Sequence, residues 1–223
     1  MNKELSEIVK ALKNYISMEK ESGLEEILLK TFETESKFGD KAQSLSGIEK
    51  DVKKCRNCQL CKTRRNIVFG EGSNNASIMF IGEAPGMEED IQGRPFVGRA
   101  GQLLTKIIEA MGLRRQDVYI ANSLKCRPPN NRTPTALEIS ACRNFLLKQI
   151  DIIKPKVICC LGKPAASAML MIDLPIGKVR GKFYDYNGIK VMPTFHPAYL
   201  LRNPSEKKLV WEDMKKIMGA LRK

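Results

Sequence analysis

Short apolar runs, each followed by a segment with the 3.6-residue period of an amphipathic helix, restrict this chain more than any other feature. Residues 77–81 (SIMFI), 118–121 (VYIA) and 157–161 (VICCL) are runs of strand type. Residues 100–111 carry Leu103, Leu104, Ile107, Ile108 and Met111 at helical spacing, with Gly112 as the expected residue after the helix end. Residues 135–151 repeat the pattern with Ile139, Cys142, Phe145, Leu146 and Ile150, and a helix to about Met171 follows the third run after Gly162. Strand alternating with helix is the signature of a parallel sheet covered on both faces, whose sites lie beyond the C-terminal strand ends. Asn187-Gly188 predicts a hairpin between 182–186 and 189–193. A closing helix over about 205–220 turns Trp211, Met214, Ile217 and Met218 inward.

The first fifty residues read differently. Residues 4–20 place Leu5, Ile8, Val9, Leu12, Tyr15 and Ile16 on one helical face, and Leu24, Ile27, Leu28 and Phe32 continue a second stripe after Gly23. Residues 33–50 are polar and read as a linker. Helices this small must pack on the main body, on a copy of themselves or on another protein. The expected organisation is a helical N-terminal extension and linker over 1–50 and one main domain over 51–223, as a length of 223 residues allows.

Charge follows the same division. Residues 1–50 hold 8 basic and 10 acidic groups, and the remainder holds 30 basic and 15 acidic. A net charge of +15 on the main domain favours a polyanion, nucleic acid before an anionic membrane surface. No run is apolar for 18 residues and the N-terminus has no signal-peptide pattern, so an intracellular protein without a membrane partner is expected.

Seven cysteines at uneven spacing then read as thiols or metal ligands rather than a disulfide scaffold. Cys55-x-x-Cys58-x-x-Cys61 contains pairs spaced to clasp one metal centre, and Cys126 and Cys142 are the best candidates to complete it. Cys61 is able to replace any of them. Cys159 and Cys160 alternate across an apolar strand and read as core. Four thiolates suit zinc or an iron–sulfur cluster alike; composition alone slightly favours zinc.

The run Gly82-Glu83-Ala84-Pro85-Gly86-Met87-Glu88-Glu89-Asp90, then Gly93-Arg94-Pro95-Phe96-Val97-Gly98, Asn122-Ser123-Leu124-Lys125-Cys126-Arg127-Pro128-Pro129 and His196-Pro197-Ala198-Tyr199-Leu200-Leu201-Arg202 resembles the family 4 (iron–sulfur) uracil-DNA glycosylases, in matching order across roughly residues 52–220. The resemblance implies a three-layer α/β/α fold with a central four-stranded parallel sheet. It also implies a structural 4Fe-4S cluster on Cys55, Cys58, Cys126 and Cys142, with Cys61 outside the ligand set, which reverses the preference for zinc.

The activity implied is hydrolysis of the bond between uracil and deoxyribose in single- or double-stranded uracil-containing DNA, leaving an abasic site that initiates base-excision repair. The base is flipped into a pocket, and placed dipoles stabilise negative charge growing on it. The resemblance gives His196, the chain's single histidine, the role of neutral donor to uracil O2. It gives Asn122 the N3–H and O4 edge, Phe96 the stacking face, and Glu83 and Ala84 backbone approach to uracil and the attacking water. Glu83, and after it Glu89, are the nearest carboxylates to orient that water. Leu200 or Leu201 is expected to wedge into the vacated stack while Arg202 meets a phosphate. No lysine falls where a Schiff-base nucleophile is needed, so the enzyme is expected to be monofunctional. Two other readings stay open on sequence: a metal-stabilised nucleic-acid-binding module without chemistry, and a glycosylase acting chiefly on another altered base.

Overall fold

The computed structural model describes residues 44–222. The helices expected over 4–20 and 24–32, and most of the linker expected over 33–50, lie outside the described residues. Where the description begins, the linker expectation fails. Ser44 accepts the Gly47 N–H at 3.2 Å and caps helix α1 (Leu45–Lys54), whose Leu45, Ile48 and Val52 are buried in the core. Only three apolar positions at helical spacing announce this helix, and the polar residues between them mask it.

From there the order is β1 (Glu71–Gly72), β2 (Ile78–Gly82), α2 (Met87–Gln92), α3 (Arg99–Ala110), β3 (Tyr119–Asn122), α4 (Ala136–Ile153) and β4 (Val157–Leu161). Then come α5 (Lys163–Leu170), α6 (Ile176–Val179), β5 (Tyr184–Tyr186), β6 (Ile189–Thr194), α7 (Pro197–Arg202) and α8 (Lys207–Leu221). The sheet has six strands in the order β1-β3-β2-β4-β6-β5, rather than the four expected. The inner four, β3, β2, β4 and β6, are parallel, and β1 and β5 are antiparallel additions at the two edges. A two-residue strand such as β1 has no periodicity to read, and short edge strands protect a sheet from further pairing. The expected hairpin is present between β5 and β6, with Asn187 and Gly188 at φ 51° and 83°, the left-handed pair that such a turn requires.

Alternation along the strands divides the core in two. Met79, Ile81, Ile158, Cys160 and Val191 face a layer containing Ile48, Leu146, Ile150 and Met169. Ile78, Phe80, Val157, Cys159 and Met192 face Leu104, Ile108, Leu200, Met214 and Ile217. A fully buried side chain such as Phe80 contributes about 1.5–3 kcal/mol. Cys159 and Cys160 thus point to opposite layers, as expected, and burial pushes both thiols up.

One helical assignment is corrected. Trp211 is 37% exposed, and the inward stripe of α8 is Val210, Asp213, Met214 and Ile217. Trp211 stands about 100° round the helix from Val210, beyond the edge of that stripe. No helix among the described residues is long and apolar enough to cross a membrane.

Candidate active site and cysteine cavity

Strands β2, β3 and β6 end together, and beyond their C-terminal ends lies a cavity of about 420 Å³. Glu83, Ala84, Phe96, Asn122 and His196 all line it. Gly82 closes β2 opposite Asn122. A Cβ at Gly82 would stand 2.4 Å from Asn122 Oδ1 and 2.5 Å from Phe96 Cζ, so only glycine leaves both side chains in place. Asn122 is 2% exposed, and its Oδ1 is, among the described residues, the one buried side-chain nitrogen or oxygen without a hydrogen-bond partner. An unsatisfied acceptor costs about 1–3 kcal/mol unless something arrives to donate to it.

Phe96 is held in a backbone conformation that bulky residues rarely adopt, at φ 51°. Three contacts impose it. Arg115 Nη2 donates to the Pro95 carbonyl on one side. On the other, Glu89 Oε1 accepts the N–H groups of Val97 and Gly98 at 2.9 and 3.0 Å. Gly101 leaves the room, since a Cβ there would lie 1.9 Å from the Phe96 carbonyl oxygen. The clamped ring sits 5.7 Å from the His196 imidazole. Backbone strain of about 1–3 kcal/mol maintained by its surroundings is characteristic of ligand clamps.

This geometry separates the two carboxylates. Glu89 also lines the cavity and accepts the Gly86 N–H through Oε2 at 3.1 Å, so both of its oxygens are engaged with the backbone of the loop. Glu83 is half-buried in the cavity wall, and burial alone raises its carboxyl above the ordinary value. Its backbone carbonyl accepts from Leu124 N–H at 3.0 Å.

His196 follows β6 and caps α7, with Pro197 as the first helical residue. Its Nδ1 accepts the Ala198 N–H at 3.0 Å, which leaves Nε2 as the protonated nitrogen of a neutral ring. Desolvation first, and then the Arg202 cation, bring its pKa down from 6.5 to about 4, against an opposing pull from Glu89. The sign follows directly. The folded state disfavours the imidazolium, so the contribution to stability is complete above about pH 6.5 and is lost as pH falls towards about 4. His196 is the only histidine, so its resonances can be followed without assignment. They are expected to show a neutral Nε2–H tautomer and a midpoint near pH 4, and a midpoint at or above 6 would contradict this environment. From behind, Thr194 Oγ1 donates to the buried Asp213 of α8 at 2.6 Å, fixing the strand end that carries His196.

The stretch expected to be a rim loop, 196–202, is a helix over Pro197–Arg202, and this changes one assignment. Leu200 is wholly buried in the core layer with Phe96 and Leu104, so it is not a wedge. Leu201, at 38% exposure, and Arg202 face outward. A further part of the wall, which sequence reasoning missed, comes from the segment after β3: Pro128, Asn131, Arg132 and Thr133. Arg132 is fixed there by paired hydrogen bonds to Glu138 at 2.6 and 2.8 Å. The Thr135-x-x-Glu138 capping box was the available signal for that anchor.

Cys55, Cys58, Cys61, Cys126 and Cys142 line a second, small cavity with Val52, Lys125 and Phe145. Among the described residues no group of three or more His, Cys, Asp and Glu is disposed to hold a single metal ion. A cubane cluster separates its ligands more widely than one ion does, and the rest of the chemistry fits it. The surroundings donate to sulfur: Arg64 Nη1 to Cys126 Sγ at 3.1 Å, and the Lys125 N–H to Cys142 Sγ at 3.3 Å. Such hydrogen bonds and low polarity are what tune cluster thiolates. Burial pushes the Cys142 thiol up to about 11 and raises that of Cys126, so a bound cation is what would hold either as thiolate. Cys61 reaches the same cavity as the four expected ligands.

Residues 69–215 match the model of the uracil DNA glycosylase superfamily. The chain is 52% identical over 182 residues to the type-4 uracil-DNA glycosylase of Thermotoga maritima, covering 79% of this chain and 94% of the relative. It is 51% identical over 187 residues to that of Saccharolobus solfataricus, covering 80% and 87%. With the type-4 enzyme of Archaeoglobus fulgidus it shares 46% identity over 183 residues, 78% of this chain and 92% of the relative.

Proposed function

This chain belongs to the type-4 uracil-DNA glycosylases, hydrolases of base-excision repair, and we propose that its cavity reads a flipped uracil through Asn122 and expels it with help from His196. The observation that carries the reading is the partnerless Oδ1 of Asn122 in a cavity wall. Uracil offers a donor at N3 and an acceptor at O4, and one amide both accepts and donates. Asn122 Oδ1 accepts N3–H while Nδ2 donates to O4. Cytosine offers the reverse pattern and leaves the amide unpaired, at a cost that a purely apolar pocket does not impose.

Phe96 supplies the stacking face. As the glycosidic bond breaks, negative charge accumulates on uracil and is greatest at O2. The Nε2–H of neutral His196 donates to O2 and strengthens as that charge grows, without transferring its proton. Water attacks the sugar from the opposite face, with Glu83 as the carboxylate able to orient it or offset sugar charge, and Ala84 contributes backbone only. Glu89 acts one step removed, by holding the Phe96 loop. Leu201 fills the stack that uracil leaves, and Arg202 meets a phosphate. Cys55, Cys58, Cys126 and Cys142 are the residues that would hold the 4Fe-4S cluster, which when bound supplies cross-links between α1, the segment after β3 and α4.

The test is excision from an oligonucleotide with a single uracil, against the same oligonucleotide with cytosine, read by alkaline cleavage. Uracil-dependent cleavage with cytosine untouched is expected. DNA binding without cleavage by iron-replete protein would replace this reading with that of a binding module.

A further inference from the structure

Lys125 has no place in the chemistry above, and its setting is unusual for a lysine. It is fully buried, and among the described residues no carboxylate pairs with it. Its Nζ donates to the Asn122 carbonyl at 2.8 Å and to Gln149 Oε1 at 2.6 Å. Gln149 is itself fully buried on α4, and its Nε2 donates to the Phe69 carbonyl at 2.9 Å and the Tyr119 hydroxyl at 3.0 Å. The backbone of Lys125 is also anchored: its carbonyl accepts Val68 N–H at 2.8 Å and its N–H donates to Cys142 Sγ at 3.3 Å.

A buried ammonium is a poor stabiliser compared with an apolar side chain of similar length. Burial therefore disfavours a lysine here, and the neighbouring Cys142 and Cys126 sulfurs favour its charge. Its geometry does something more specific. Asn122 is the last residue of β3, in register with Gly82, where the β-ladder stops. The side chain three residues later reaches back and ties that last carbonyl to α4. Gly82 shapes the space for the Asn122 amide on its cavity side, and Lys125 holds the same residue from behind.

We infer that Lys125 is a positioning residue for base recognition: by tying the Asn122 carbonyl to Gln149 it fixes the direction in which the Asn122 amide meets the flipped base. The inference rests on the reading of Asn122 given above. Each nitrogen and oxygen of the network has a partner, and such networks rigidify what they hold.

The test uses full-length protein with its iron–sulfur absorption measured in every variant. Lys125→Met is expected to keep that absorption and its melting temperature within a few degrees. Its kcat for uracil excision should fall about tenfold, and the inhibition constant for free uracil should rise by a similar factor. A double-mutant cycle separates positioning from general damage. If Lys125 acts through Asn122, Lys125→Met combined with Asn122→Ala loses no more than Asn122→Ala alone. Wild-type kcat and free-uracil inhibition in iron-replete Lys125→Met overturn the inference, as does a double variant whose loss is the product of the two single losses. Should Lys125→Met not fold, Gln149→Met frees the ammonium from its other anchor and is expected to lose severalfold, with the same non-additivity; full activity in the folded variant overturns the inference. Wild-type protein that does not excise uracil overturns the function and this inference together, whereas normal excision by both wild type and Lys125→Met overturns the inference alone.

Discussion

His196→Ala is expected to lower uracil excision by about 10²–10³-fold, the usual cost of losing one preorganised donor to a developing anion. The loss should fall on kcat rather than on DNA affinity, because the bond from Nε2–H to O2 strengthens only as negative charge appears. The ring's environment makes this specific. Nδ1 is committed to the Ala198 N–H, and burial and Arg202 together keep the imidazole neutral. A neutral donor has no ionisation near pH 7, so wild-type activity should carry no His196-dependent limb between about pH 5.5 and 8. Single-turnover excision across that range checks both points. A variant that keeps most of its kcat, or a wild-type acid limb with a midpoint near 6.5, would remove His196 from the role given to it.

Cys142→Ser and Cys126→Ser are expected to abolish the visible iron–sulfur absorption, while Cys61→Ser retains it. The thermodynamic effect should be large. Cross-linking across the segment between residues 126 and 142 removes loop-closure entropy of about 3 kcal/mol on the chain-entropy model, and for a domain of this size about 2–4 °C of melting temperature follows each kcal/mol, giving a fall of roughly 10 °C. That segment is also a wall of the larger cavity, through Pro128, Asn131, Arg132 and Thr133. Excision should thus fall along with stability in the two ligand variants and in neither respect in Cys61→Ser. Iron content and calorimetry on the three variants check this, and loss of absorption in Cys61→Ser would move Cys61 into the ligand set.

The parts of this site that could be read without coordinates are those where chemistry and strand ends coincide. An apolar run that stops at Gly-Glu-Ala, or at Asn122, or at Thr-Phe-His, announces both a strand and what emerges from it. Other features leave no such mark. Leu200 and Leu201 are adjacent and identical, and only the six-residue helix Pro197–Arg202 decides that one is interior and the other exposed. A carboxylate does not reveal whether backbone N–H groups will occupy it, so the clamp that Glu89 places on the Phe96 loop leaves no mark in the sequence. Lys125 is the extreme case. Lysine is among the side chains least often buried, and nothing local signals that Asn122 and Gln149 will enclose it. Edge strand β1 and helix α1 were hidden for the simpler reason that each has too few apolar positions to establish a period.

The strand order has a consequence for how such a chain becomes active as it is made. Phe96, Asn122 and His196 arrive on segments separated by long stretches of sequence, and β6, which delivers His196, pairs with β4 in parallel across two intervening helices and strand β5. Non-local parallel pairing of this kind is slow to nucleate, because closure entropy is spent before contacts repay it. Asp213, which steadies the end of β6, comes later again in the chain, 19 residues after Thr194. The cavity is therefore complete only once β6 and the helix that carries Asp213 are in place, so its assembly waits on the last segments of the chain.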